Sequence, residues 1–290
     1  MRSLFQMLSA LPLWALHGLG AFAGWLRWVI PNSRRDTALR NIERCFPEMP
    51  RAEQRRMAAR SLRHELKTIL ELPLLWLGAP SRVMALIRRS EGEELVEKAL
   101  SQGRGLILLT LHQGSFEAPA IPFSARHVIT GLYKPQKGAI DGLSRRGRSR
   151  FGGRLISTSS GGVRQQLLPL LRNNESVYFL PDQDPPAGRG IFAPFFGLTA
   201  HSPVLVAKMI RESGSPVLFF FGERLPFGRG YNVHFRAAPP GIYSEDLLTS
   251  VTAMNAGLEA CIREFPEQYW WGYKRFRRQP EGAPDFYAAT

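Results

Sequence analysis

His112 and Glu117 stand five positions apart where an apolar run stops, in "GLILLTLHQGSFE" (Gly105–Glu117). A histidine in such a place can act as a general base, because its unperturbed pKa near 6.5 leaves most of it neutral at pH 7. A carboxylate about one and a half helical turns further on can reach the far ring nitrogen, where it fixes the tautomer and stabilises the imidazolium formed during reaction. Glu117 is the candidate for that position. Such a pair needs no nucleophile from the protein when the substrate brings its own. Ser115 lies between the two, but "HQGSFE" is not the GxSxG elbow that exposes a hydrolase serine, so it reads as a turn residue or a helix cap. Taken alone, the His-x4-Glu spacing equally fits a satisfied histidine at the end of a strand.

Two further polar clusters directly follow apolar runs: "YKP", with Tyr133 and Lys134, and "PDQD", with Asp182 and Asp184. Ligands of open α/β sheets bind outside the carboxyl ends of the strands, so parallel strands would bring all three clusters to one edge. "DQDPP" also fits a plain Asx turn before prolines. His112, Glu117, Asp182 and Asp184 carry donors suited to a metal, but two histidines on one helix face and a carboxylate cluster of defined spacing are both missing. No metal and no cofactor are expected. "TSSGGVRQQ" (Thr158–Gln166) can present helix amino-terminal amides and Arg164 to a phosphate, an ordinary helix start being the alternative.

The elements that must position these residues follow from the periodicity. Short apolar runs predict strands over Gly105–Leu111, Val128–Tyr133, Leu155–Ser157, Val177–Leu180, Val217–Phe221 and Tyr231–Phe235. Helices are predicted over Gly162–Arg172, Pro203–Glu212 and Ser244–Phe265, the second with Ser202 as cap and Pro203 as first residue. Alternation of the two gives an α/β fold with a mostly parallel central sheet flanked by helices. Residues 32–95 read as a helical region, with arginines from Arg51 to Arg63 forming a basic face, and residues 96–290 read as the α/β domain.

Residues 1–31 read as a membrane anchor. Leu8–Leu26 carries no formal charge and as a helix would extend about 28 Å, near the thickness of a hydrocarbon core. Pro12, His17 and three glycines leave an in-plane interfacial helix as the alternative. "AFA" at Ala21–Ala23 resembles a signal-peptide cleavage site, yet apolar sequence continues past it and Arg27, Arg34, Arg35 and Arg40 follow, which places the remainder of the chain on the cytoplasmic side. With 38 Lys and Arg against 24 Asp and Glu, the net charge of +14 implies anionic partners. No nucleic-acid motif accompanies that charge, so nucleic acid is not among them. Cys45 and Cys261 lie in no CxxC and read as structural thiols.

Taken together, the anchor, "RRDTALRNIERCFPE", "HQGSFE", "YKP", "RRGRSRFGGRLI", "LPDQD", "APFFG" and "PEQYWWGYKRFRRQPEG" resemble, in order and spacing over most of the chain, the bacterial late acyltransferases of lipid A biosynthesis, within the lysophospholipid acyltransferase superfamily. The resemblance implies a glycerol-3-phosphate acyltransferase-like fold. It also implies transfer of an acyl chain from a thioester, commonly that of acyl carrier protein, to a hydroxyl of a membrane glycolipid at the cytoplasmic face of the inner membrane. By position, His112 would be the base and Glu117 its orienting carboxylate. Arg148 and Arg150 would bind acidic substrate groups, and Asp182 and Asp184 would position acceptor hydroxyls or lock Arg148. Departures at "DQD", "PPAGRGI" and "LTAHSPVLVAKM" touch the choice of acceptor, so a lysophospholipid or a phosphatidylinositol mannoside stays open, as does a thioester or lipid hydrolase. An apolar groove for the acyl chain is expected, with the phenylalanines of "APFFG" and "VLFFF" either lining it or lying in the core.

Overall fold

A seven-stranded sheet carries the molecule. The computed structural model describes residues 2–136 and 138–288. The amino-terminal third holds α1 (Arg2–Ala10), α2 (Leu13–Val29), α3 (Ser33–Cys45), α4 (Arg51–Leu77), α5 (Pro80–Met84), β1 (Ile87–Glu91) and α6 (Glu93–Leu100). There follow β2 (Leu106–Leu109), α7 (Ala120–Ser124), β3 (Ile129–Tyr133), α8 (Ala139–Ser149), β4 (Arg154–Ser157), α9 (Val163–Arg172) and β5 (Ser176–Phe179). The carboxyl-terminal part adds β6 (Gly190–Phe195), β7 (Leu198–Pro203), α10 (Leu205–Ser213), β8 (Val217–Arg224), β9 (Tyr231–Ala237) and α11 (Leu247–Glu264).

The strand order is β1-β9-β8-β2-β5-β3-β4. β8, β2, β5, β3 and β4 run parallel, β9 turns back antiparallel to β8, and β1 pairs parallel to β9. Every residue of β2 is buried, as an all-apolar strand in the middle of a sheet covered on both faces must be. The expected α/β class with a mostly parallel sheet is what the chain forms.

Three local expectations are corrected. β1 lies inside the stretch read as helical and closes one edge of the sheet. Ser202 does not cap a helix: Ser202 and Pro203 end β7, paired with Ile191 and Gly190 of β6, and α10 begins at Leu205. That pairing holds because the Ser202 hydroxyl accepts from the Asn255 and Arg275 side chains, at 2.9 and 2.7 Å, and is buried with them. Nor do the phenylalanines of "APFFG" and "VLFFF" line a groove. The first forms β6 and its turn, and Phe195, Phe196, Phe219, Phe220 and Phe221 are all buried in the core.

The apolar stretch Leu8–Leu26 is not one helix. It breaks before Pro12, α1 and α2 are bent by 116°, and among the described residues no single helix is long and apolar enough to cross a membrane, though the bent pair together has the length and composition. Arg82 secures the bend by donating to the Ser9 and Ala10 carbonyls at 3.0 and 3.3 Å, which would otherwise lack partners at the end of α1. α2 buries Leu13, Leu16, His17, Gly20 and Gly24 against α4. The two glycines allow backbone-to-backbone contact, since a Cβ on Gly20 would come within 2.6 Å of Lys67 Cα and one on Gly24 within 2.4 Å of Arg63 Cα. Gly24→Val should therefore push α2 off α4. A loss of about 1–3 kcal/mol is expected, as for other forced overpacking, and a urea titration in detergent would measure it.

Candidate functional site

The register of the central strands decides which side chains meet. β2 and β5 are neighbours with Leu109 opposite Phe179, and three residues beyond each lie His112 and Asp182. Parallel strands run about 4.8 Å apart, so the two side chains leave the same edge side by side. Asp182 takes both available donors of His112: its Oδ1 lies 2.9 Å from Nδ1, and its Oδ2 accepts the His112 backbone N–H at 3.0 Å. The carboxylate is 1% exposed, against 18% for the imidazole. Burial opposes its charge, but His112 beside it, by charge and hydrogen bond, holds the carboxyl below the usual aspartate range. With Nδ1–H donating to Asp182, Nε2 carries the lone pair and accepts from the Gln183 side-chain N–H at 3.3 Å. The rings of Phe116 and Trp270 flank the imidazole, 5.2 and 5.4 Å away between centroids.

Glu117 does not reach His112. The segment between them is not helical: Gln113 bridges to Tyr269 and Gly114 to Gly222, which draws the chain across the end of β8. Gly114 sits at φ 54°, and a Cβ there would come within 1.9 Å of the Gly222 carbonyl oxygen, so only glycine permits this crossing. The loop is then fixed by its Gly114 carbonyl, which accepts from the Thr68 hydroxyl at 2.8 Å and from Arg224 Nη2 at 2.7 Å. Arg224 is itself gripped by Glu71, through Nε and Nη2 at 3.0 and 2.9 Å, and Glu71 Oε2 also lies 2.9 Å from both His17 Nε2 and the Tyr231 hydroxyl. A buried network thus runs from α2 through α4 and β8 to the loop that carries His112. Ser115 is fully buried and donates its backbone N–H to the Gly222 carbonyl, which agrees with its reading as a turn residue.

What Glu117 holds is Arg148 of α8, whose Nε donates to both carboxylate oxygens at 2.9 and 3.1 Å, with Nη2 donating to Oε1. Burial works against the Arg148 charge, but the Glu117 carboxylate more than offsets it and holds the guanidinium above its ordinary pKa. The Trp76 ring lies 5.7 Å from that guanidinium, and the pair borders a narrow cavity of about 20 Å³ with Tyr178 in its wall. Burial first, and the Glu117 charge second, push the Tyr178 phenol up to about 12. Hydrogen bonds to charged groups contribute roughly 1.5–3 kcal/mol. Glu117→Gln should lower stability by about that much in a urea titration.

The other expected site residues divide. Asp184 neither locks Arg148 nor faces His112: its carboxylate, with no exposed surface, lies 2.8 Å from His201 Nδ1 and accepts from Arg277 at 3.2 Å, tying the loop after β5 to the carboxyl-terminal segment. Arg150 faces the end of α4. It donates to the Leu75 and Gly78 carbonyls and so satisfies the carboxyl end of α4. Tyr133 and Lys134 do sit at the carboxyl edge, half-buried and exposed respectively, with Arg145 stacked 5.7 Å from the Tyr133 ring. Arg164 is paired with Glu212 and, with Arg189, Lys208 and Arg211, lines a cleft of about 760 Å³ beside the start of α9. Gln183, Phe116 and Trp270 were not anticipated from the sequence. Only the position of Gln183 within "DQD" gave a signal.

In chemical terms the edge offers an imidazole whose Nδ1 is held by a buried carboxylate and whose Nε2 can accept a proton. Among the described residues, no group of three or more His, Cys, Asp or Glu is placed to hold a metal ion. Residues 3–278 match the family model for bacterial lipid A biosynthesis acyltransferase. The lipid A biosynthesis lauroyltransferase of Escherichia coli K12 is 29% identical over 96% of this chain and 90% of its own length. The palmitoleoyltransferase of the same organism is 27% identical over the same shares, and its myristoyltransferase 24% over 91% and 80%. A match that runs from α1 past β9 and takes in both halves of the His112 and Asp182 pair leaves one assignment: the chain belongs to the bacterial lipid A biosynthesis acyltransferase family.

Proposed function

We propose that the protein transfers a fatty acyl chain from the thioester of acyl carrier protein to a hydroxyl of a lipid A precursor, at the cytoplasmic face of the inner membrane. The observation that carries this reading is the His112 Nδ1 contact with the buried Asp182, which puts the lone pair on Nε2, where a substrate hydroxyl would take the place of the Gln183 amide. Nε2 removes the hydroxyl proton as the oxygen attacks the thioester carbonyl carbon. Asp182 stabilises the imidazolium. When the tetrahedral intermediate collapses, the C–S bond breaks and the proton passes from Nε2 to the departing thiolate, so the base is regenerated. A thioester is already activated, and a positioned base supplies about 10²- to 10⁴-fold; the rest falls to holding the two substrates in attack geometry. Arg148 is the cation that meets an acidic group of the acceptor. The Arg164, Arg189, Lys208 and Arg211 cleft suits phosphate or the acidic surface of a carrier protein.

The test is an assay in mixed micelles with labelled acyl-carrier protein or acyl-CoA, with and without a phosphorylated lipid A precursor, and mass spectrometry of the product. The acceptor should gain one acyl chain from the carrier-protein thioester, with little thioester consumed in its absence. Equal consumption without acceptor would instead mean a hydrolase. Preferential acylation of a lysophospholipid or a phosphatidylinositol mannoside would overturn the acceptor assignment.

A further inference from the structure

Nε2 of His112 meets one polar side chain. Among the described residues, the Gln183 amide is the single side-chain group within hydrogen-bond distance of it, at 3.3 Å. The main chain is held on both sides of Gln183. Asp182 before it is bound to His112, and Asp184 after it donates its backbone N–H to the Tyr273 hydroxyl at 3.2 Å while its carboxylate pairs with His201. Pro185 adds a further anchor, its carbonyl accepting from Arg278 at 2.7 Å. Gln183 itself is half-buried, so the loop fixes where the side chain starts and its own torsions are the part left to turn.

Attack on a thioester puts negative charge on the carbonyl oxygen, and a donor aimed at that oxygen accelerates the step by about 10²- to 10³-fold. Between residues 112 and 115 the loop that carries His112 has no such donor to spare. The His112 N–H is taken by Asp182 at 3.0 Å, that of Gln113 by the Leu111 carbonyl at 2.8 Å, and those of Gly114 and Ser115 by the Gln268 and Gly222 carbonyls, each at 3.0 Å. Arg148 is held by both oxygens of Glu117. The Gln183 amide differs from all of these, because the lone pair it meets is the one that an acceptor hydroxyl claims. Its N–H is therefore released as the acceptor binds. The hydroxyl oxygen must sit about 3 Å from Nε2, and the carbonyl oxygen lies two bonds beyond it, within the sweep of a side-chain amide that starts 3.3 Å from Nε2. The amide nitrogen carries two N–H groups, so it donates in either position.

We infer that Gln183 is a catalytic residue: its side-chain amide covers Nε2 until the acceptor binds, yields that place to the acceptor hydroxyl, and then donates to the oxyanion formed on the thioester carbonyl. This rests on the acyl-transfer reading above and adds to it the group that stabilises the tetrahedral intermediate. As the hydroxyl oxygen bonds to the carbonyl carbon, its proton passes to Nε2 and the carbonyl π electrons move onto oxygen, where the Gln183 N–H meets them. When that pair returns, the C–S bond breaks and the thiolate takes the proton from Nε2. The amide keeps its own protons throughout.

Gln183→Met keeps the length of the side chain and removes its N–H donors. Steady-state kinetics of the full chain in mixed micelles, with an acyl-carrier-protein donor and a phosphorylated lipid A precursor, should show kcat lower by about 10²- to 10³-fold. Both KM values should stay within about twofold, because the interaction is made only in the transition state. Heteronuclear NMR of the histidine ring nitrogens should find the His112 proton on Nδ1 in the unsubstituted protein and in Gln183→Met alike, since Asp182 sets the tautomer. A Gln183→Met protein with unchanged kcat would overturn the inference and leave acyl transfer standing. So would a loss confined to the KM of the acceptor, which would make Gln183 a binding group, or a ring proton moved to Nε2, which would make it act only through the imidazole. Absence of transfer by the unsubstituted protein would defeat the acyl-transfer reading and the inference with it.

Discussion

Asp182→Asn is expected to lower kcat by about 10³- to 10⁴-fold with little change in KM, the scale seen when the carboxylate behind a catalytic imidazole becomes an amide. An asparagine amide facing Nδ1 would donate where the carboxylate accepts. The ring proton would move to Nε2, and the nitrogen that should take the hydroxyl proton would then carry one. The charge that stabilises the imidazolium is lost in the same step. His112→Ala removes the base itself and should fall to a similar or lower rate. The two losses should not add in a double variant, because the residues act as one unit. Steady-state kinetics with the acyl-carrier-protein donor would measure both, with circular dichroism to confirm folding. Glu117→Gln gives the contrast: it should leave the pH dependence of kcat/KM where it is, whereas Asp182→Asn should displace it. The opposite pattern would return Glu117 to the imidazole and remove Asp182 from the mechanism.

The second large effect concerns stability. Glu71 is fully buried among Arg224, His17 and Tyr231. Breaking such a pair by removing one partner costs about 3–5 kcal/mol, because the other charge stays buried without compensation. Glu71→Ala should lose that much in a urea titration, with Arg224 left uncompensated beneath the loop that carries His112. Loss of activity is expected even where the fold survives, since Arg224 and Thr68 hold the Gly114 carbonyl. Burial opposes the Glu71 charge, but the Arg224 guanidinium, with His17, holds its carboxyl at about 2. A depressed folded-state pKa means that this contribution is complete above the unfolded glutamate value of about 4.3 and is lost as pH falls from there toward 2. The Glu71→Gln protein should therefore be less stable at neutral pH and show a shallower acid limb below about pH 4.5. A parallel limb in both proteins would place the acid sensitivity elsewhere.

Much of this fold could be read from local pattern. A short, fully apolar run such as Leu106–Leu109, opened by Gly105, fits a strand buried on both sides, and the polar clusters that end such runs had to lie at the carboxyl edge once the strands were parallel. His112 was visible for that reason, and so was the placing of "YKP" and "PDQD". The error over Glu117 came from extending helical geometry across "HQGSFE", where the chain instead follows bridges to Tyr269 and Gly222, more than a hundred residues away. Arg150 meets the end of α4 and Asp184 meets His201, contacts that no spacing in the sequence reveals.

The sequence by itself determined the class of fold, the net positive charge, the place of His112 at the end of a strand and the family, since each depends on residue types in a local order. Tertiary structure alone decided which carboxylate serves His112, because the register of β2 against β5 brings together residues 112 and 182 and nothing near them in the chain does so. It also decided how the apolar amino terminus is used. Two glycines and the bond from His17 to Glu71 hold α2 on α4, and a hydropathy profile records the apolar residues without recording which side of the helix is already occupied.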